Sequence, residues 1–149
     1  MGAEPIENSV KSLFSEIEQC VQNRPEVICV YVFGSTIRNP ETAGDLDIGV
    51  LSDTELTARG VVPPTVELFD DLKRQLGRTN IDVVPLNDAP HTLRHEVFST
   101  GRCVYARDQN ERFDFESRAE MAYYDYLPLK RIFDRATLQH ALAEPHDTE

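Results

Sequence analysis

Apolar residues recur along this chain with two different periods. After Pro5, the residues Ile6, Val10, Leu13, Phe14, Ile17 and Val21 repeat at three- and four-residue intervals, which predicts an amphipathic helix ended by Asn23 and Pro25. Glu26 to Phe33 is instead an almost unbroken apolar, β-branched run and reads as a buried strand. Gly34-Ser35 turns the chain, Thr36 to Arg38 can begin a short helix, and Asn39-Pro40 interrupts it. Asp45 to Leu51 reads as a second strand and Ser52 to Val62 as a loop. Val62, Val66, Phe69, Leu72 and Leu76 then predict a helix that Gly77 closes, with Gly60 and Pro63-Pro64 bounding its start.

The second half continues the alternation. Asn80 to Pro85 is a third strand carrying one embedded charge, Asp82. Pro90 to Thr100 reads as a helix with Leu93, Val97 and Phe98 on its apolar side, and Arg102 to Ala106 as a fourth strand. Gln109 to about Leu142 reads as helix with a break or kink at Pro128, and Glu144 to Glu149 as a frayed tail. Strands interleaved with helices and a helical C-terminus predict a small α/β (α+β) domain. Its core spans residues 1–107, and residues 108–149 form a helical segment packed on the same domain.

Composition narrows the function classes. The formal net charge of −11 argues against broad binding to DNA or RNA, whose affinity comes from phosphate neutralisation by Lys and Arg. It is compatible with a basic protein partner, or with solubility alone. Cys20, Cys29 and Cys103 share no metal-ligand spacing and read as free thiols in a reducing compartment. No segment has the apolar length of a membrane span and the N-terminus lacks a secretory pattern, so the expected location is cytoplasmic.

The candidate chemistry lies where the first two strands meet. Asp45 and Asp47 are separated by one residue, so a strand directs both carboxylates to one face and Leu46 and Ile48 to the other. At about 4 Å and an effective dielectric near 20, their repulsion is roughly 4 kcal/mol. A hard divalent cation, typically magnesium, offsets it. If the second and third strands are neighbours, Asp82 faces this pair and completes a cradle able to hold two magnesium ions, the arrangement that clamps attacking and leaving oxygens in phosphoryl displacement. Gly34 lets a phosphate approach the backbone, Ser35 adds a hydroxyl, and a helix starting there adds amides and a positive dipole end. The alternative is an acidic pair that simply lies at a turn or on a strand edge.

Arg38 lies one helical turn beyond Ser35, where it can bind phosphate oxygens or simply be a solvated arginine. Lys73 and Arg74 read as an exposed helix face. His91 and His95 have zinc-pair spacing without a third ligand and read as surface histidines. Tyr123, Tyr124 and Tyr126 read as core packing, with partner anchoring the alternative.

Gly34-Ser35, nine residues, Asp45-Leu46-Asp47 and a later strand aspartate at Asp82 together resemble the signature of the DNA polymerase β-like nucleotidyltransferases. In spacing and size the chain is similar to their minimal nucleotidyltransferase (MNT) branch, from about Val10 to Arg107. The resemblance implies a small mixed sheet flanked by helices and a magnesium- and ATP-dependent transfer. By position, Gly34 and Ser35 would hold the triphosphate, Asp45 and Asp47 would ligate metal, and Asp82 would bind the catalytic metal and help activate the incoming hydroxyl. Known members of that branch are antitoxins of HEPN-domain ribonuclease toxins and transfer AMP to a tyrosine of that partner, which implies a hetero-oligomer with such a toxin. Two alternatives stay open: a small-molecule nucleotidyltransferase of the aminoglycoside-modifying kind, and a non-catalytic antitoxin that blocks its toxin by binding.

Overall fold

A computed structural model describes residues 4–41, 44–57 and 64–143. In chain order the elements are α1 (Glu4–Val21), β1 (Val27–Phe33), α2 (Ser35–Arg38), β2 (Leu46–Ser52), α3 (Thr54–Thr57), α4 (Pro64–Leu76), β3 (Ile81–Pro85), α5 (His91–Thr100), β4 (Arg102–Ala106) and α6 (Gln109–Ala143). The expected boundaries at Gly60 and Val62 and the tail from Glu144 lie outside the described residues.

The four strands form one sheet in the order β3-β2-β1-β4. β1 runs antiparallel to both β2 and β4, whereas β2 and β3 are parallel, so the sheet is mixed as expected. The parallel pair requires a long crossover, and α4 lies within it. Alternation along the strands divides the core between the two faces of the sheet. Val30 and Val32 of β1 and Leu46, Ile48 and Val50 of β2 pack with Leu13, Ile17 and Val21 of α1 and Leu68 and Leu72 of α4. Tyr31 and Phe33 of β1 and Leu51 of β2 point the other way, toward Leu86, Val97 and the rings of Phe98 and Phe115. β1 changes register with β2 between Val27 and Cys29, a bulge that lets Val27 and Val30 share a face.

The structure departs from the sequence reading in four elements. α4 buries Leu68 and Leu72, while Val66 is 50% exposed, because the ridge that meets α1 is centred on the leucines. The expected loop after β2 contains a single helical turn, α3, whose Glu55 and Leu56 amides donate to Asp53 Oδ1. α6 continues through Pro128 without a break. The carbonyl that Pro128 leaves without a donor, four residues back, belongs to exposed Tyr124, within reach of water. His95 is half-buried instead of superficial: its ring stacks on Tyr123 at 3.9 Å between centroids, and its Nδ1 is 2.9 Å from Glu120 Oε1.

Two polar clusters tie the layers together. Arg24, just after α1, pairs with Glu26, Glu67 and Asp71 and so fastens α1 to α4. The Tyr31 hydroxyl donates to Glu116 Oε1 at 2.6 Å and Arg112 Nε donates to the same oxygen at 2.9 Å, which anchors α6 on the sheet. The three cysteines are free thiols; Cys29 is fully buried, and burial pushes its thiol up to about 12. Among the described residues no helix is long and apolar enough to cross a membrane.

Candidate active site

The C-terminal end of β1 delivers the chain to Gly34, whose φ of 76° and ψ of −147° suit glycine. Space favours glycine as well: a Cβ built there would stand 2.4 Å from Asp47 Oδ2, so that carboxylate would have to shift. The Gly34 carbonyl accepts the amides of Ile37 at 3.2 Å and Arg38 at 3.1 Å, which winds Ser35–Arg38 into one helical turn. A helix this short sums few peptide dipoles, so the dipole end expected at Ser35 is weak. The turn still sets Ser35 and Arg38 beside the carboxylates.

On β2, Leu46 and Ile48 sit fully buried in the core while Asp47 takes the opposite face, half-buried. In the parallel ladder Asp47 pairs directly with Asp82, as Leu46 pairs with Ile81. The condition attached to Asp82 is met, because β2 and β3 are neighbours and corresponding residues share a face. Two expectations need correction. Asp45 precedes β2 and is exposed, and Asp82 is exposed within β3, so only Asp47 bears a burial cost. The strand begins one residue late because the Thr36 hydroxyl of α2 holds the Asp45 carbonyl at 3.0 Å, outside the ladder.

Burial raises the Asp47 carboxyl above its ordinary pKa, and the negative charges of Asp82 and then Asp45 push the same way. Arg38 pulls it back down, and Glu96 of α5 adds a small further rise. The structure therefore gathers Gly34, Ser35, Arg38, Asp45, Asp47 and Asp82 around the junction of α2, β2 and β3. Two further residues of this neighbourhood escape sequence reasoning. Thr36 is buried and carries only a weak signal, its place directly after Gly34-Ser35. Glu96 carries none, since its approach depends on how α5 crosses the sheet.

Among the described residues no group of three or more acidic, histidine or cysteine side chains is placed so that it could hold a metal ion. The donor set is nonetheless of the kind magnesium takes. It binds through one or two carboxylates and completes its octahedron with water and substrate phosphates. Asp47, crowded by two like charges and held above its usual range, gains from a cation in front of it. Phosphate contacts fit the other side, where Gly34 offers bare backbone, Ser35 a hydroxyl and Arg38 a guanidinium.

Comparison with known proteins identifies the fold and the family. No curated protein matches the chain. Solved structures share its fold. A chain of the tri-AMPylated Shewanella oneidensis HEPN toxin in complex with MNT antitoxin is 22% identical, with a TM-score of 0.61 over 89% of this chain and 98% of that one. A toxin-antitoxin structure with AMP-PNP is 22% identical, with a TM-score of 0.62 over 87% of this chain and 98% of that one. The MntA-HepT toxin-antitoxin structure is also 22% identical, with a TM-score of 0.54 over 94% and 99%. The family model for polymerase beta nucleotidyltransferases matches residues 15–110, which include every residue of the acidic site. The chain thus belongs to the polymerase beta nucleotidyltransferase family.

Proposed function

We propose that this protein is an MNT-type antitoxin that transfers AMP from ATP to a tyrosine hydroxyl of a HEPN ribonuclease toxin and so neutralises it. The observation that carries the reading is the in-register pairing of Asp47 with Asp82 beside the Gly34-Ser35 turn, which sets acids and phosphate donors on one patch. Fold neighbours that include a tri-AMPylated HEPN toxin complexed with MNT antitoxin support the choice of partner, and one with AMP-PNP supports the choice of nucleotide.

In the proposed reaction the tyrosyl oxygen attacks the α-phosphorus of ATP. The new O–P bond forms as the bond to the β-phosphate bridging oxygen breaks, and pyrophosphate leaves. Gly34 and Ser35 seat the triphosphate, and Arg38 neutralises charge on its oxygens. Asp82, exposed at the edge of the cluster, receives the tyrosyl proton. Asp45, Asp47 and Asp82 would hold magnesium, which when bound offsets the negative charge of the phosphates and of the acids themselves. Residues 1–107 act as the transfer core, residues 108–149 as a helical segment on it, and the cytoplasm suits the three free thiols.

The test incubates the protein with labelled ATP, magnesium and the HEPN protein encoded beside it. AMP on a tyrosine of that protein, and loss of its ribonuclease activity, is the expected result. Label on a small molecule instead, or neutralisation without any label, overturns the reading.

A further inference from the structure

From Arg131 to Ala143 α6 is exposed to solvent. The last ring contact between α5 and α6 joins His91 and Tyr126, at 5.3 Å between centroids. Every residue from Arg131 to Ala143 is exposed, a projection that rises roughly 20 Å along the helix axis. It is not a polar extension. Leu129 is 54% exposed, Ile132 63%, Phe133 64%, Leu138 60% and Leu142 77%. At about 100° per residue, Leu129, Ile132 and Phe133 share one flank, and Leu138 and Leu142 the opposite one. A helix that lies on a single surface carries one apolar stripe; two opposed flanks belong to a helix enclosed on both sides.

Charge separates this segment from the rest of the molecule. Between Leu129 and Ala143, Lys130, Arg131 and Arg135 stand against one acid, Asp134, in a chain whose net charge is −11. Lys130 Nζ is 2.7 Å from Asp134 Oδ2, so the positive excess rests on the two arginines. Side-by-side pairing with α6 of a second copy would bring like charges together and cover one flank of each helix. The complement of this segment is an apolar groove with two walls and an acidic rim.

We infer that the projecting half of α6 is a docking helix, and that its occupant is an acidic-rimmed apolar groove on the HEPN protein that accepts AMP. The inference rests on the proposed protein acceptor and adds to it where that acceptor is held. Phe133 and Ile132 are the anchors, while Arg131 and Arg135 steer encounter and fix register.

The test uses the full chain and the HEPN protein encoded beside it. Two variants probe the docking helix: Ile132→Glu with Phe133→Glu, and the charge-only pair Arg131→Glu with Arg135→Glu. Phe113→Glu, on an exposed site near the start of the same helix, is the control. Both docking variants are expected to weaken the complex by at least about tenfold. AMP transfer is expected to suffer through the KM for the acceptor, with kcat at saturation retained and AMP-PNP affinity unchanged. Phe113→Glu is expected to match the wild type.

Docking variants that bind as tightly as the wild type overturn the inference. So does a wild-type chain that dimerises alone through this helix, shown by sedimentation equilibrium and lost in the variants. A wild type that needs α6 for binding but transfers no AMP leaves docking in place and removes the proposed reaction. Transfer with an acceptor KM that the variants do not move does the reverse. A wild type that never binds the HEPN protein removes both.

Discussion

Gly34 leaves room for Asp47 at the junction of β1 and β2: a Cβ on Gly34 would stand 2.4 Å from Asp47 Oδ2. Backbone conformation and available space therefore favour the same residue. Gly34→Ala forces both a strained φ and a displaced carboxylate. The expected stability loss is about 1–3 kcal/mol, with AMP transfer falling well beyond what unfolding accounts for. Urea unfolding beside transfer rates on the folded fraction separates the two effects; an alanine variant that retains full activity would show that Asp47 tolerates displacement.

Asp47 is the acid whose removal separates function from stability most clearly. Its carboxyl is raised by burial and by Asp82 and Asp45, so the ionised form is disfavoured in the folded state relative to the unfolded one. The native state then binds protons more tightly than the unfolded chain. The contribution of Asp47 to stability is therefore greatest below the unfolded value of 3.8 and is lost as pH rises through the elevated native pKa. Asp47→Asn is accordingly expected to melt no lower than the wild type at neutral pH without magnesium, yet to lose transfer by at least about a hundredfold. Asp45→Asn, at an exposed position, is expected to lose activity with little change in melting. Thermal melts in chelator and single-turnover labelling check both, and wild-type rates in the double variant would remove the acids from the mechanism.

How far the sequence reaches is visible in these same residues. Val30, Val32, Ile48 and Val50 announce their strands because burial imposes a period of two on whole runs. Gly34 with Asp47 is legible because tight turns and paired acids each need a particular residue type. That Asp82 stands level with Asp47 is not legible, since register between β2 and β3 is set by a crossover whose own residues say nothing about it. The same limit hid the exposure of Asp45 and Asp82, the roll of α4 onto Leu68, and the stacking of His95 on Tyr123. Each depends on where a second element comes to rest. The absence of a break at Pro128 has a different reason: losing one hydrogen bond matters little where the freed carbonyl faces water.

Asp53 and Arg107 join the loop after β2 to the residue that leaves β4. Arg107 Nη2 donates to Asp53 Oδ2 at 2.9 Å, and its Nη1 donates to the Pro25 carbonyl at 2.7 Å. The hydrogen bond from Arg107 holds the Asp53 carboxyl below its ordinary value, helped by the Leu56 and Glu55 amides. A depressed native pKa stabilises the fold above the unfolded value of 3.8, and that contribution is lost as pH falls through the native pKa. Asp53→Asn is therefore expected to be less stable than the wild type at pH 7, with the gap closing only below the unfolded value. Urea midpoints across this range check the sign, and a gap that stays constant into strong acid would contradict it.

Thr36 tests whether the site depends on a residue that touches no substrate. Its hydroxyl donates to the Asp45 carbonyl at 3.0 Å from a buried position, so the one-turn helix α2 and the residue before β2 move as a unit. Thr36→Val keeps shape and burial but removes the donor, leaving that carbonyl to water or to nothing. The expected stability cost is about 1 kcal/mol. Because Asp45 is set by its backbone, transfer is expected to fall more than stability does, through kcat and with an altered magnesium dependence, while AMP-PNP affinity changes little. Thr36→Ser retains the hydroxyl and is expected to recover most of the rate. Equal kcat in the valine and serine variants would show that Asp45 finds its place without this bond.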